Sequence, residues 1–170
     1  VNKLKEDSGS GGDIELSASS DAESVAVSVE IAGTMKGAAE GKSVADASAK
    51  ANSTATGLEG GSGEDDITNA ANISANVDSY ATAVGVSAGF TVSVNGYAEG
   101  AALSDVSAES LSSATGISGA SGNDTITNTG LLNLTSLSDS ATTAVSVSLT
   151  GSMGGVAKGK AASDGSATAI

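Results

Sequence analysis

Two glycine-rich loops carry the residues best suited to chemistry. Gly60-Gly61-Ser62-Gly63-Glu64-Asp65-Asp66-Ile67-Thr68 recurs 59 residues later as Gly119-Ala120-Ser121-Gly122-Asn123-Asp124-Thr125-Ile126-Thr127. Glycine permits backbone angles that turn carbonyl oxygens toward one point. Aspartate adds a hard anionic oxygen, and a shell of carboxylate and carbonyl oxygens suits Ca²⁺. The apolar residue two places after the aspartate starts a strand. A plainer reading needs no ion: a Gly-Asp turn capping that strand. Other chemistry is poorly supplied. The chain has no His and no Cys, so the common nucleophile–base pairs are missing. Glu64, Asp65 and Asp66 would need a shaped, partly apolar pocket to act as acid and base. Nothing in the sequence points to one, and the chain reads as a non-enzyme.

The first loop resembles the calcium-binding nonapeptide G-G-x-G-x-D-x-U-x of the RTX (repeats-in-toxin) proteins at every fixed position. The second departs only at Ala120. The resemblance implies side-chain ligands at Asp65 and Asp124. Gly61, Gly63, Gly122, Asn123 and Asp66 would belong to the same shell. RTX proteins carry these nonapeptides in tandem, whereas here each copy has one. In strict register the first copy has Val1–Gly9 at this place, and Gly9-Ser10-Gly11-Gly12-Asp13-Ile14 fits only with a gap. The likeness covers about 18 of 170 residues. A softer one joins Asp66-Ile67-Thr68-Asn69 and Asp124–Leu132 to the x-I-x-N-x-G-x-I rungs of haemagglutinin-type β-helical adhesins. That resemblance implies stacked strands and an extracellular or cell-surface setting.

The elements that must position these loops repeat with them. Gly37/Gly96/Gly155, Gly41/Gly100/Gly159 and Asp46/Asp105/Asp164 are each 59 apart, as are Val27/Val86/Val145 and Ile31/Phe90/Leu149. A fixed, ungapped step is the sign of an array. A convenient cut gives copies at 1–52, 53–111 and 112–170. Each copy alternates in its middle: Val25–Ile31, Val84–Val94 and Val145–Leu149 put Val, Ile, Phe or Leu on one face and small residues on the other. Period two predicts strands with the apolar face inward. Further strands are predicted at Ile14–Leu16, Ile73–Val77, Leu131–Leu137, Ile67–Thr68 and Ile126–Thr127. The Ala-rich 38–51 stretch reads as strand too, because its copies carry Gly, Ser and Asp. Turn signals stand at Asn69, Asn95-Gly96 and Asn128-Thr129-Gly130.

The predicted fold is all-β, a parallel β-solenoid. Two windings suit it: three coils of roughly 20 residues per copy, or one wide coil of 59. The frequent glycine and Asx punctuation favours the first. In the wide coil the loops at 60–65 and 119–124 would stack and share an ion.

Composition narrows the function classes. A net charge of −13 with only lysines as cations argues against nucleic acid and against anionic membranes. No run is long and apolar enough for a membrane-spanning helix. The three aromatic residues, Tyr80, Phe90 and Tyr97, do not build a core, so small side chains must pack closely. Tyr80 and Tyr97 have no aromatic counterparts in the other copies and read as surface or packing residues rather than a sugar platform. Sequons occur at Asn52, Asn72, Asn123 and Asn133. The chain starts and stops in mid-pattern, as a piece of a longer or processed protein would. The functional expectation is a structural segment of a surface filament or adhesin that stacks end to end on copies of itself. The alternative is a calcium-dependent adhesion module that recognises a glycan or a neighbouring cell.

Overall fold

The computed structural model describes residues 12–170. The first copy's loop position at Val1–Gly9, and the first half of its gapped counterpart, lie outside the described residues. The described chain is all-β, and its strands pair in parallel. It contains β1 (Ile14–Lys36), β2 (Ala39–Glu59), β3 (Asp66–Asn69), β4 (Ile73–Asn95), β5 (Tyr97–Ser118), β6 (Thr125–Asn128), β7 (Leu132–Ser152) and β8 (Val156–Ala169). Three sheets result, with orders β1-β4-β7, β2-β5-β8 and β3-β6.

The pairing step is the sequence repeat. Ile14 lies beside Ile73 and Ile73 beside Leu132; Asp46 lies beside Asp105 and Asp105 beside Asp164. Each circuit of the chain is therefore 59 residues long. The winding into coils of about 20 residues is overturned. The glycines and Asx residues that favoured it are largely inside strands, where they permit close approach rather than turns. The predicted strands at Ile14–Leu16 and Val25–Ile31 are two parts of the single 23-residue β1. The 38–51 stretch is strand, as expected, within β2.

A 23-residue strand spans roughly 70 Å at about 3.3 Å per residue. β1 runs out along that length and β2 returns in the facing sheet. The link is a bend between sheets, with no ladder between β1 and β2. Gly37 sits there at φ 99° and Gly96 one circuit on at φ 148°. The bends stack: the Gly37 N–H donates to Asn95 O at 3.0 Å, and the Tyr97 N–H to Gly37 O at 3.2 Å.

The inner faces of the two long sheets hold mostly Ala, Ser, Gly and Thr, with Ile73, Val77 and Val106 as the largest fully buried side chains. Ala47, Ala49, Ala51, Ala81, Ala83, Val106 and Ala108 form the buried cluster, with Ala22, Ala26 and Ala144 packed against it. Hydroxyls cross the gap: Ser87 Oγ donates to Ser43 Oγ at 2.9 Å, and Ser43 Oγ reaches the Ser28 carbonyl at 2.9 Å. The gap is narrow. A Cβ built on Gly85 would stand 2.5 Å from both Val106 Cγ1 and Ser104 Oγ. One built on Gly89 would come within 3.1 Å of the Ala101 carbonyl.

This narrow gap reverses the expected polarity of the strands. Val25, Val27, Val29 and Ile31 face outward, with Val27 67% and Ile31 78% exposed. Phe90, Val145 and Leu149 follow them in register. Period two was correct and the assignment of faces was not. Around Gly85 and Gly89 the sheets leave little room for larger side chains, so along this stretch the β-branched row takes the outer face, whereas Ile73 and Val77, nearer the start of β4, are fully buried between the sheets.

Candidate functional site: the stacked glycine loops

After β2 the chain turns through residues 60–65 into β3, and after β5 it repeats the turn through 119–124 into β6. The 59-residue register sets one loop on the other, with Ser62 bridged in parallel to Ser121. The Gly60 N–H donates to Ser118 O at 2.9 Å, the Gly63 N–H to Ser121 O at 2.9 Å, and the Ser121 N–H to Gly61 O at 3.0 Å. The Thr125 N–H closes the stack on Asp65 O at 2.8 Å. Stacking of the loops, expected for a wide circuit, is observed.

Glycine is required here by geometry. Gly61, Gly63 and Gly122 have φ of 94°, 122° and 142°. A Cβ on Gly122 would collide with the Gly63 carbonyl, and one on Gly119 with the Asp124 carboxylate. Ala120 occupies the place of Gly61 and still adopts φ 64°. It is the one described non-glycine residue in the left-handed region, where a side chain costs roughly 1–2 kcal/mol.

The two aspartates at the matched position lie over the glycines. Asp124 Oδ1 accepts from the Asp65 backbone N–H at 2.9 Å, so a side chain of one circuit caps the backbone of the previous one. Asp65 Oδ2 is buried and has no hydrogen-bond partner. The remaining candidates are less concentrated. Asp66 is exposed and pairs in register with Thr125, and Asn123 is exposed at the position of Glu64. Only the Asp65/Asp124 column repeats a carboxylate. Among the described residues, no group of three or more His, Cys, Asp or Glu side chains is gathered closely enough to hold a metal ion. The arrangement offers two carboxylates and a row of carbonyls. One carboxylate oxygen is engaged by backbone and another is left unpartnered.

A second ladder follows at once. Asn69 Nδ2 donates to Asn128 Oδ1 at 2.7 Å and to Ala71 O at 2.8 Å, and the Ala71 N–H returns to Asn69 Oδ1 at 3.1 Å. Asn128 Nδ2 repeats the turn contact on Gly130 O at 2.8 Å. The asparagines thus hold the bends into β4 and β7, as stacked Asn rows do. Asn72 adds a cross-circuit bond, its Oδ1 accepting from the Leu131 N–H at 3.0 Å.

Sequence reasoning missed two surface features. The first is the outward apolar row described above. The second is a small polar group on the outer face of β2-β5-β8. Tyr97 Oη donates to Glu99, and the Lys158 ammonium lies 5.8 Å from the centre of the Tyr97 ring. The Glu99 hydrogen bond, with smaller contributions from desolvation and the charges of Glu99 and Glu40, holds the Tyr97 hydroxyl above its ordinary pKa. The phenol is the donor, so its neutral form is favoured.

No protein-family model matches the chain, and no curated protein and no solved structure matches it.

Proposed function

We propose that the chain is a structural segment of an extracellular or cell-surface filament or adhesin, built as a β-solenoid whose 59-residue circuits stack end to end. One observation carries the reading: the register continues without insertion or slip from Ile14 to Ala169. Among the described residues, that regularity leaves β1 and β2 unpaired along one edge and β7 and β8 along the other. Strand edges this long template further pairing, and natural monomers blunt them with Pro, bulges or covering elements. The chain has no Pro, and another circuit fits either edge. An adhesion module that recognises a glycan would be expected to carry a copy-specific insertion or aromatic cluster, and the described circuits keep one plan. The test is electron microscopy and fibre diffraction of concentrated protein. Fibres with a layer spacing of about 4.8 Å support stacking. A monodisperse monomer at high concentration, with and without calcium, overturns it. Antibody labelling of intact cells checks the surface placement.

A calcium ion at the stacked loops is a second element of the proposal. Its support is the unpartnered Asp65 Oδ2, held against Gly60 one circuit below Asp124. Asp65 and Asp124 would hold the ion, and its charge would offset the repulsion between them. A ligand that binds only the folded chain raises its melting temperature. A higher Tm in Ca²⁺ than in chelator, abolished by Asp124→Asn, supports the ion. An equal Tm in both leaves the loop as a strand cap. Without calcium, Asp124→Asn should cost less than about 1 kcal/mol, because the amide oxygen still accepts from the Asp65 N–H.

A further inference from the structure

The outer face of β1-β4-β7 is divided along its length. Toward the β1 N-terminus it is acidic, with Glu15, Asp21 and Glu23 in the first circuit, Asp78 in the second and Asp139 in the third. From Val25 onward, outward positions up to Met35 and their register mates carry no charge. Val27/Val86/Val145 and Ile31/Phe90/Leu149 are two of its columns. Val27, Ile31, Phe90, Val145 and Leu149 are 67, 78, 40, 41 and 61% exposed. The opposite outer face, on β2-β5-β8, is polar and of mixed charge, so the apolar area is confined to one side.

We infer that this apolar half-face pairs with the same face of a second copy of the chain, sheet on sheet, through a two-fold axis parallel to the direction in which the circuits stack. Three observations select that occupant and orientation. The first is shape: a flat, β-branched sheet face is what packs in a sandwich at about 10 Å. The second is area. Ten residue steps of about 3.3 Å across three strands of about 4.8 Å give on the order of 500 Å² per copy. Both copies together bury on the order of 1,000 Å², the lower bound for a specific interface. Each further circuit in a longer array adds area in proportion. The third is charge. An axis along the strands would set Glu15, Asp21, Glu23, Asp78 and Asp139 against their own mates. An axis along the stack reverses the strands and places the two acidic halves at opposite ends, in water. Centred on the Val29–Ile31 columns, it sets Val25 of one copy against Met35 of the other, twice by symmetry.

A chain of net charge −13 has little attraction for anionic lipid, which disfavours a bilayer as the occupant. Lateral pairing is separate from end-to-end stacking. It uses side chains on a face, stops at two copies and leaves the strand edges free.

Sedimentation across a concentration series tests it. The expected result is a reversible dimer. Val27→Asp or Val86→Asp should weaken it at least tenfold, with unchanged circular dichroism and melting at dilutions where the chain is monomeric. Val25→Asp and Met35→Lys should each weaken it about threefold, and their combination should restore it, because the axis sets the two positions against each other; this fixes the orientation. A chain that stays monomeric overturns the inference, and flotation of that monomer with phosphatidylcholine vesicles would assign the face to lipid. Self-association that ignores Val27→Asp and Val86→Asp also overturns it. Growth beyond two copies that ignores them belongs to the strand edges, so the two proposals fail separately.

Discussion

The sheets are held apart by matched small residues, and one cross-sheet pair lets that be measured. In the first circuit the register sets Ala26 and Ala47 in two columns that the second circuit fills with Gly85 and Val106, and the third with Ala144 and Gly165. In the second circuit the volume absent at Gly85 is supplied from the other sheet by Val106. Gly85→Ala alone should overpack the gap, because its Cβ would meet Val106 Cγ1 and Ser104 Oγ at 2.5 Å and Val106 is 1% exposed. Overpacking costs about 1–3 kcal/mol. Loss of glycine's freedom in the unfolded chain returns about 0.4–1 kcal/mol, for a net loss of about 1–2 kcal/mol. Val106→Ala removes two buried methyl groups at about 0.8 kcal/mol each and leaves a cavity, a loss of about 2–3 kcal/mol. Independent effects would sum to about 3–5 kcal/mol. The double variant instead recreates the first circuit's pair, and should lose only about 1–2 kcal/mol. Urea unfolding at constant m-value reads all four corners of the cycle. Additivity within about 0.5 kcal/mol, or a neutral Gly85→Ala, would refute the account of a volume-matched gap.

Other outcomes follow from the loops and the Tyr97 group. Ala120→Gly should stabilise by roughly 0.5–1 kcal/mol, since it relieves a left-handed alanine at φ 64°, and thermal melting checks it. Gly122→Ala should destabilise by roughly 3 kcal/mol, from its φ of 142° and the collision with the Gly63 carbonyl; a wild-type urea midpoint would contradict the stacking of the loops. Ultraviolet titration should show one tyrosine ionising above the ordinary range, and Glu99→Gln should bring it down. A raised folded pKa favours the fold while the phenol is neutral. That contribution is complete below the unfolded value of about 10 and disappears as pH rises through the folded one.

Much of this was legible in the residues. The repeat supplied the 59-residue step, but the favoured winding set columns such as Asp46/Asp105/Asp164 three coils apart; only the wide coil pairs them directly, as the sheets do. The bends at Gly37 and Gly96 and the Asn69/Asn128 ladder were also foreseeable from turn chemistry. Two readings failed for one reason. Recurrent glycine and Asx residues were weighed as punctuation between short coils, and the Val rows as core, on the assumption of an ordinary inter-sheet gap. Gly85 and Gly89 instead report how close the opposite sheet lies. Where the gap closes around Gly85 and Gly89, the strands run on past their glycines and the Val rows turn outward. The signal was present in the Gly41/Gly100/Gly159 column, where a Cβ on Gly100 would stand 2.5 Å from Thr150 Oγ1. At the loops, the glycine positions were predictable. The use of Asp124 to cap the previous circuit was not, because it depends on the loops lying one above the other.

The constant pairing step also sets how such a chain can fold. Every ladder joins residues 59 apart, so no strand finds its mate locally. Closing one loop of that length costs about 4 kcal/mol of chain entropy before any contact offsets it. The first two circuits must meet that barrier with nothing to guide them. Each later circuit docks onto an edge already in place, with its register templated. Assembly should therefore resemble growth from a seed, with a slow first pairing and faster additions. A longer array would gain speed from each circuit already laid down.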